Sequence, residues 1–150
     1  MVKPVLLSIL FWLLIYPLHA QTTEPISFVH IGLDDGLSQS TVFDITQDKY
    51  GNMWFATYNG LNKYDGYTFT VFQHNEKDPQ SLGCDIVRSL KTDEQGRIWI
   101  GTYEGLSLYD TDKECFQNFQ YKKEGKNMPV NKIVTVNEEL LLIYTDGELV

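Results

Sequence analysis

The sequence predicts an all-β fold assembled from four-stranded antiparallel units, and three observations predict it. First, residues 48–65 return as residues 93–110 at an offset of 45 with no gap, and nine of the eighteen positions hold the same residue. Unrelated segments of ordinary composition share about one. Second, each copy contains four short runs rich in β-branched and aromatic residues, separated by turns bearing Gly, Asn and Asp, the pattern of consecutive hairpins. Third, the second run of each copy, "MWFAT" (53–57) and "IWIGT" (98–102), is apolar on both faces. A strand of that kind is covered on both sides.

The shared positions are Asp48/Asp93, Gly51/Gly96, Trp54/Trp99, Thr57/Thr102, Tyr58/Tyr103, Gly60/Gly105, Leu61/Leu106, Tyr64/Tyr109 and Asp65/Asp110. A fixed period of this size is a repeat signature. Four antiparallel strands in about 45 residues is the size of one β-propeller blade. The expected architecture is therefore two complete blades and a partial third.

The elements follow in chain order. Residues 1–20 carry Lys3, the uncharged run "VLLSILFWLLIY" and a close at Ala20. These are the charged, apolar and small-residue parts of a signal peptide, cleaved after Ala20, with no membrane insertion of the mature chain. "ISFVHIG" (26–32) reads as a stray strand ahead of the first blade. Blade one is expected over 40–72. "TVFDITQD" (41–48) is its first strand, and "DKYGN" is a hairpin turn with Gly51 at positive φ. "MWFAT" is the second strand, "LNKYD" the third and "YTFTVF" (67–72) the fourth, entered through Asp65-Gly66. Blade two is expected over 85–119. Its last turn is two residues longer, so Phe116 and Phe119 match Phe69 and Phe72. The partial third blade is expected over 130–150.

Trp54 and Trp99 are expected in blade-to-blade cores, and Ala56 and Gly101 where neighbouring sheets leave little room. Cys84 and Cys115 are placed on the innermost and outermost strands of blade two. Three strand spacings of about 4.8 Å separate such strands, and a disulfide needs Cα atoms within about 7 Å. Both thiols are expected free.

Composition narrows the function. Without residues 1–20 the chain has 11 basic and 20 acidic side chains, a net charge of −9. No basic cluster is present to neutralise phosphates, so nucleic acid is not an expected partner. Catalytic chemistry is equally absent. No Cys or His pair has metal-ligand spacing, and no nucleophile elbow, P-loop or dinucleotide fingerprint occurs. Asp34-Asp35 and Glu138-Glu139 are adjacent acids, which point to opposite faces of a strand. Asp48 and Asp93 read as turn residues. No catalytic residue, metal or cofactor is expected, and the chain is not expected to be an enzyme.

In a meander, turns alternate between the two ends of a sheet. One rim therefore gathers Tyr58, Asn59, Tyr103, Glu104 and the long loops 73–83 and 120–129. Polar loops on a rigid scaffold are where recognition concentrates. Tyrosine beside amide or carboxylate groups suits a sugar, so these four residues are the candidate ligand-binding set.

The stretch "FVHIGLDDGLSQSTVFDITQDKYGNMWFATYNGLNKYDGYTFTVF" resembles the opening of a two-component regulator propeller. The likeness rests on the spaced glycines, the tryptophan and the Tyr-Asp pair, present twice. It is clear over 28–121 and weaker over 130–150. The resemblance implies the periplasmic sensor region of a hybrid two-component histidine kinase of the type found in carbohydrate-using Bacteroidetes. An oligosaccharide is the implied ligand. Apart from the resemblance, an open array of repeats leaves an apolar face uncovered at each end, so the remaining blades or self-association are the expected partners. The resemblance also implies that this chain is an N-terminal fragment, because neither a second hydrophobic segment nor a kinase motif follows. Two alternatives stand beside the sensor: a fragment of a propeller lyase or hydrolase, and a truncated product without activity of its own.

Overall fold

The computed structural model describes residues 26–135 and 141–145. The expected signal segment, residues 1–20, lies outside the described residues, as do 136–140 and 146–150 of the third repeat. Met1–His30 and Ile31–Val150 are separate compact units. All the strands described below belong to the second. Among the described residues no helix is long and apolar enough to cross a membrane.

Blade one comprises β1 (Val42–Gln47), β2 (Met53–Thr57), β3 (Gly60–Tyr64) and β4 (Phe69–Phe72), hydrogen-bonded in that order. Blade two comprises β5 (Val87–Thr92), β6 (Ile98–Thr102), β7 (Gly105–Asp110) and β8 (Cys115–Phe119), in the same order. All pairings are antiparallel. The two-residue offset expected in the fourth strand is observed. Tyr64 stands opposite Phe69 and Tyr109 opposite Phe116. The long loop after β8 holds a small hairpin, β9 (Lys122–Lys123) and β10 (Lys126–Asn127), turned by Glu124 and Gly125 at φ 51 and 78. The third repeat contributes the pair β11 (Lys132–Thr135) and β12 (Leu141–Tyr144).

Two expectations are corrected. Residues 26–32 form no strand; the chain there is irregular and leads into a 3₁₀ turn at Leu33–Asp35. A strand exists through its hydrogen-bonded neighbour, and no ladder among the described residues includes 26–32. Cys84 sits in the connection before β5, not on the innermost strand. Both cysteines are free, as expected, and burial pushes the Cys84 thiol up.

The core follows the repeat. Trp54, Ala56, Leu61 and Phe72 of blade one pack against Leu90, Ile98, Ile100, Tyr109 and Phe116 of blade two. Trp54 stacks on Phe72 at 5.6 Å and meets Tyr109 at 5.0 Å between ring centroids. Burial pushes the Tyr109 phenol up to about 12. Trp99 takes the matching role toward the third repeat, against Leu106, Val130, Ile133 and Ile143. Polar bonds also cross between blades one and two. Leu90 N donates to Asp44 Oδ2 at 2.9 Å, and Thr46 Oγ1 lies 2.8 Å from Thr92 Oγ1.

Each tryptophan is tied to the aspartate six residues before it. Trp54 Nε1 donates to Asp48 Oδ2 at 2.9 Å, and Trp99 Nε1 to Asp93 Oδ2 at 3.0 Å. The other oxygen of each carboxylate closes the turn, accepting from Tyr50 N and Asn52 N in blade one and from Gln95 N and Arg97 N in blade two. The turn and the core are thus joined through one side chain.

Candidate functional site

Successive turns do alternate between two rims. On the lower rim the β1–β2 turn of blade one reaches the β7–β8 turn of blade two. Lys49 Nζ and Tyr50 Oη both donate to Asp112 Oδ1 at 2.7 Å. That hydrogen bond and charge raise the Lys49 ammonium pKa and lower that of Asp112. The pair is exposed and fastens neighbouring blades.

The upper rim carries the β2–β3 turn, the β6–β7 turn and the loops 73–83 and 120–129. Both tight turns use one device. Thr57 Oγ1 donates to Gly60 O and accepts from Asn59 N; Thr102 Oγ1 donates to Gly105 O and accepts from Glu104 N. A buried threonine therefore fixes the two residues before each glycine at the tip. Those residues are Tyr58-Asn59 and Tyr103-Glu104, the four expected on this rim. Gly60 and Gly105 stand at φ 98 and 137, and a Cβ on either would meet a backbone carbonyl oxygen of the fourth strand at about 2.5 Å. Only glycine suits both the φ and the space.

The four candidates differ in what they offer. Tyr58 is 47% exposed, with its ring edge-on to Phe43 at 4.6 Å. Tyr103 is 50% exposed, with the Arg88 guanidinium 5.6 Å from its ring centroid. The Asn59 amide is engaged within the rim. Its Nδ2 donates to Ser38 O at 3.3 Å, and its Oδ1 accepts from Gln73 Nε2 at 2.9 Å. Glu104 lines a cavity of about 120 Å³ together with His74, Ser107, Asn118 and Gln120. The structure places the pairs at equivalent points of consecutive blades. Tyr58, Asn59 and Tyr103 lie outside the Glu104 cavity.

The loop 73–83 is held over blade two. His74 N donates to Asp85 Oδ1 at 2.6 Å, and His74 Nδ1 lies 2.8 Å from Leu82 O. A carbonyl can only accept, so Nδ1 carries the proton of this bond. Pockets that enclose a small molecule span roughly 300–1,000 Å³. The Glu104 cavity is smaller than that. No three His, Cys, Asp or Glu side chains gather among the described residues as a metal ion would need.

Two neighbours of the tyrosines escaped sequence reasoning. Phe43 and Arg88 are 45 residues apart but differ in type, so identity between the copies does not mark them. The repeat also begins earlier than blade boundaries of 40 and 85 suggest. Leu37 and Leu82, again 45 apart, are both buried beneath the rim. Extending the same offset upstream was the available signal.

Comparison with known proteins agrees with this phase. Residues 36–59 and 81–104 match the profile described as two component regulator propeller. The chain is similar to Histidine kinase P4 of Formosa agariphila, 47% identical over 76 residues, which is 49% of this chain and 5% of the relative. Among solved structures it is similar to the extracellular domain of the hybrid two component system BT3049 from B. thetaiotaomicron. The identity is 30% and the TM-score 0.68, over 77% of this chain and 17% of that one. A second B. thetaiotaomicron extracellular domain, that of the one component system BT4673, shares the fold at 22% identity and a TM-score of 0.64, over 74% of this chain and 15% of that one.

Proposed function

We propose that this chain, whose residues 36–59 and 81–104 match the two component regulator propeller model, is the ligand-sensing part of an extracytoplasmic signalling protein and that its ligand is a saccharide. The observation that carries the reading is the pair of half-exposed tyrosines, Tyr58 and Tyr103, presented at equivalent points of consecutive blades by buried threonine turns. An aromatic ring with a fixed backbone and an open face is a platform for a sugar ring, and the polar loops beside it supply partners for hydroxyls. The relatives support an extracytoplasmic signalling role, since they are a histidine kinase and the extracellular domains of regulatory systems. In such a sensor the ligand acts by differential affinity for two arrangements of the receptor. Catalysis is no part of the proposal.

The test is calorimetric titration of the exported chain with neutral and acidic oligosaccharides. At least one should bind, and Tyr58→Ala and Tyr103→Ala should each weaken it by about three- to tenfold, the range of an aromatic contact. Absence of binding across the panel, or binding indifferent to both substitutions, would overturn the reading.

A further inference from the structure

Blades one and two differ at the one residue that a β-bulge frees from the ladder. In blade one the register passes from Val42 opposite Thr57 to Asp44 opposite Ala56; in blade two it passes from Val87 opposite Thr102 to Ser89 opposite Gly101. Phe43 and Arg88 are therefore the extra residues, at the same place in each repeat. A bulge re-aims the side chain it frees, and bulges are over-represented beside active sites. Here the bulge carries Phe43 to Tyr58 on the β2–β3 turn and Arg88 to Tyr103 on the β6–β7 turn.

The two pairs present different chemistry. Phe43 with Tyr58 is an apolar platform. Arg88 with Tyr103 is a platform with a permanent positive charge. Each of the ion pairs found among the described residues leaves Arg88 out. Its Nε is buried and has no hydrogen-bond partner. The chain's other arginine, Arg97, is paired with Asp93, so the Arg88 guanidinium differs from it in having no carboxylate partner among the described residues. The buried Nε is closed to solvent, so an arriving oxyanion would be met by the terminal nitrogens of the guanidinium. The Tyr103 ring orients the guanidinium, whose planar fork suits a carboxylate or a sulfate.

We infer that Arg88 and Tyr103 form an oxyanion-recognising subsite of the upper rim, which takes the carboxylate or sulfate ester of an acidic saccharide. Phe43 and Tyr58, one blade earlier, offer the matching place for a neutral ring. The inference rests on the reading of this rim as a saccharide-binding surface.

The exported chain is titrated with galacturonate trisaccharide, sulfated galactotriose and neutral galactotriose. At least one acidic probe should bind tenfold or more tighter than the neutral one, as expected for a charge-assisted contact. That preference should shrink as salt is raised. It should vanish in Arg88→Phe, which installs the residue blade one holds at the same bulge, and survive in part in Arg88→Lys. Thermal unfolding checks that the variants fold, and the salt-sensitive preference of the unaltered chain is read without any variant. Preference for one acidic probe over the other assigns the anion as carboxylate or sulfate. Equal binding of neutral and acidic probes, or a preference that survives in folded Arg88→Phe, overturns the subsite and leaves the saccharide reading standing. Binding of none of the three overturns both.

Discussion

Asp48 joins a turn to a core through four hydrogen bonds, from Tyr50 N, Asn52 N, Asn52 Nδ2 and Trp54 Nε1. Burial resists its charge, yet the donors outweigh burial and hold the carboxyl below its ordinary value. The folded pKa is thus below the unfolded one, near 3.9. The resulting stability is present above the unfolded pKa and is lost as pH falls through the folded one. Urea midpoints should therefore decline below about pH 4. In Asp48→Asn that acid-dependent part should shrink, and at pH 7 the variant should be less stable by about 1–3 kcal/mol, because the buried Trp54 N–H loses a charged acceptor. Unchanged midpoints at both pH values would separate the carboxylate from the stability of blade one.

At the scale of elements, β2 and β6 are copies that answer one constraint differently. Ala56 faces Asp44 across the ladder, and the Asp44 carboxylate is drawn away to Leu90 N in the next blade. Gly101 faces Ser89, whose Oγ would collide with an added Cβ, and Val130 O would stand 2.6 Å from it. The strand cannot widen there without displacing the third repeat, which Val130 N joins through Thr102 O at 2.9 Å. Gly101→Ala should lower stability by about 1–3 kcal/mol through overpacking, read as a fall in thermal midpoint. A neutral or stabilising result would mean that blade two and the third repeat are not packed this closely in solution.

For the unit as a whole, the repeat provides its own control for burial. Leu90, Ile100 and Tyr109 form the face of blade two that blade one covers, at 5%, 0% and 3% exposure. Their equivalents in blade one are Ile45, Phe55 and Tyr64; Ile45 is 50% exposed and the other two are half-buried. Apolar and aromatic residues at equivalent positions therefore do different work according to whether a sheet stands in front of them. In chemical unfolding, Leu90→Ala should cost about 2–4 kcal/mol. Ile45→Ala should stay within about 0.5–1 kcal/mol, as surface substitutions do. Equal costs would show that the face of blade one is covered in solution, by a second copy or by further repeats.

The sequence by itself determined the eight strands of the two blades and their order. Those properties are local, carried by β-branched and aromatic runs, Gly51 and Gly96 at positive φ, and a 45-residue offset that repeats them. It also put Tyr58, Asn59, Tyr103 and Glu104 on one rim, because turn parity in a meander is a matter of counting. Only the tertiary structure decided what those residues can do. The Asn59 amide is engaged by Ser38 and Gln73, and Arg88 reaches Tyr103 through a bulge that no residue type announces. The structure likewise decided that 26–32 is not a strand and that Trp54 is fully buried while Trp99 is only half-buried. Pairing and burial depend on the neighbour that arrives, and the identity of two repeats says nothing about which neighbour each one has.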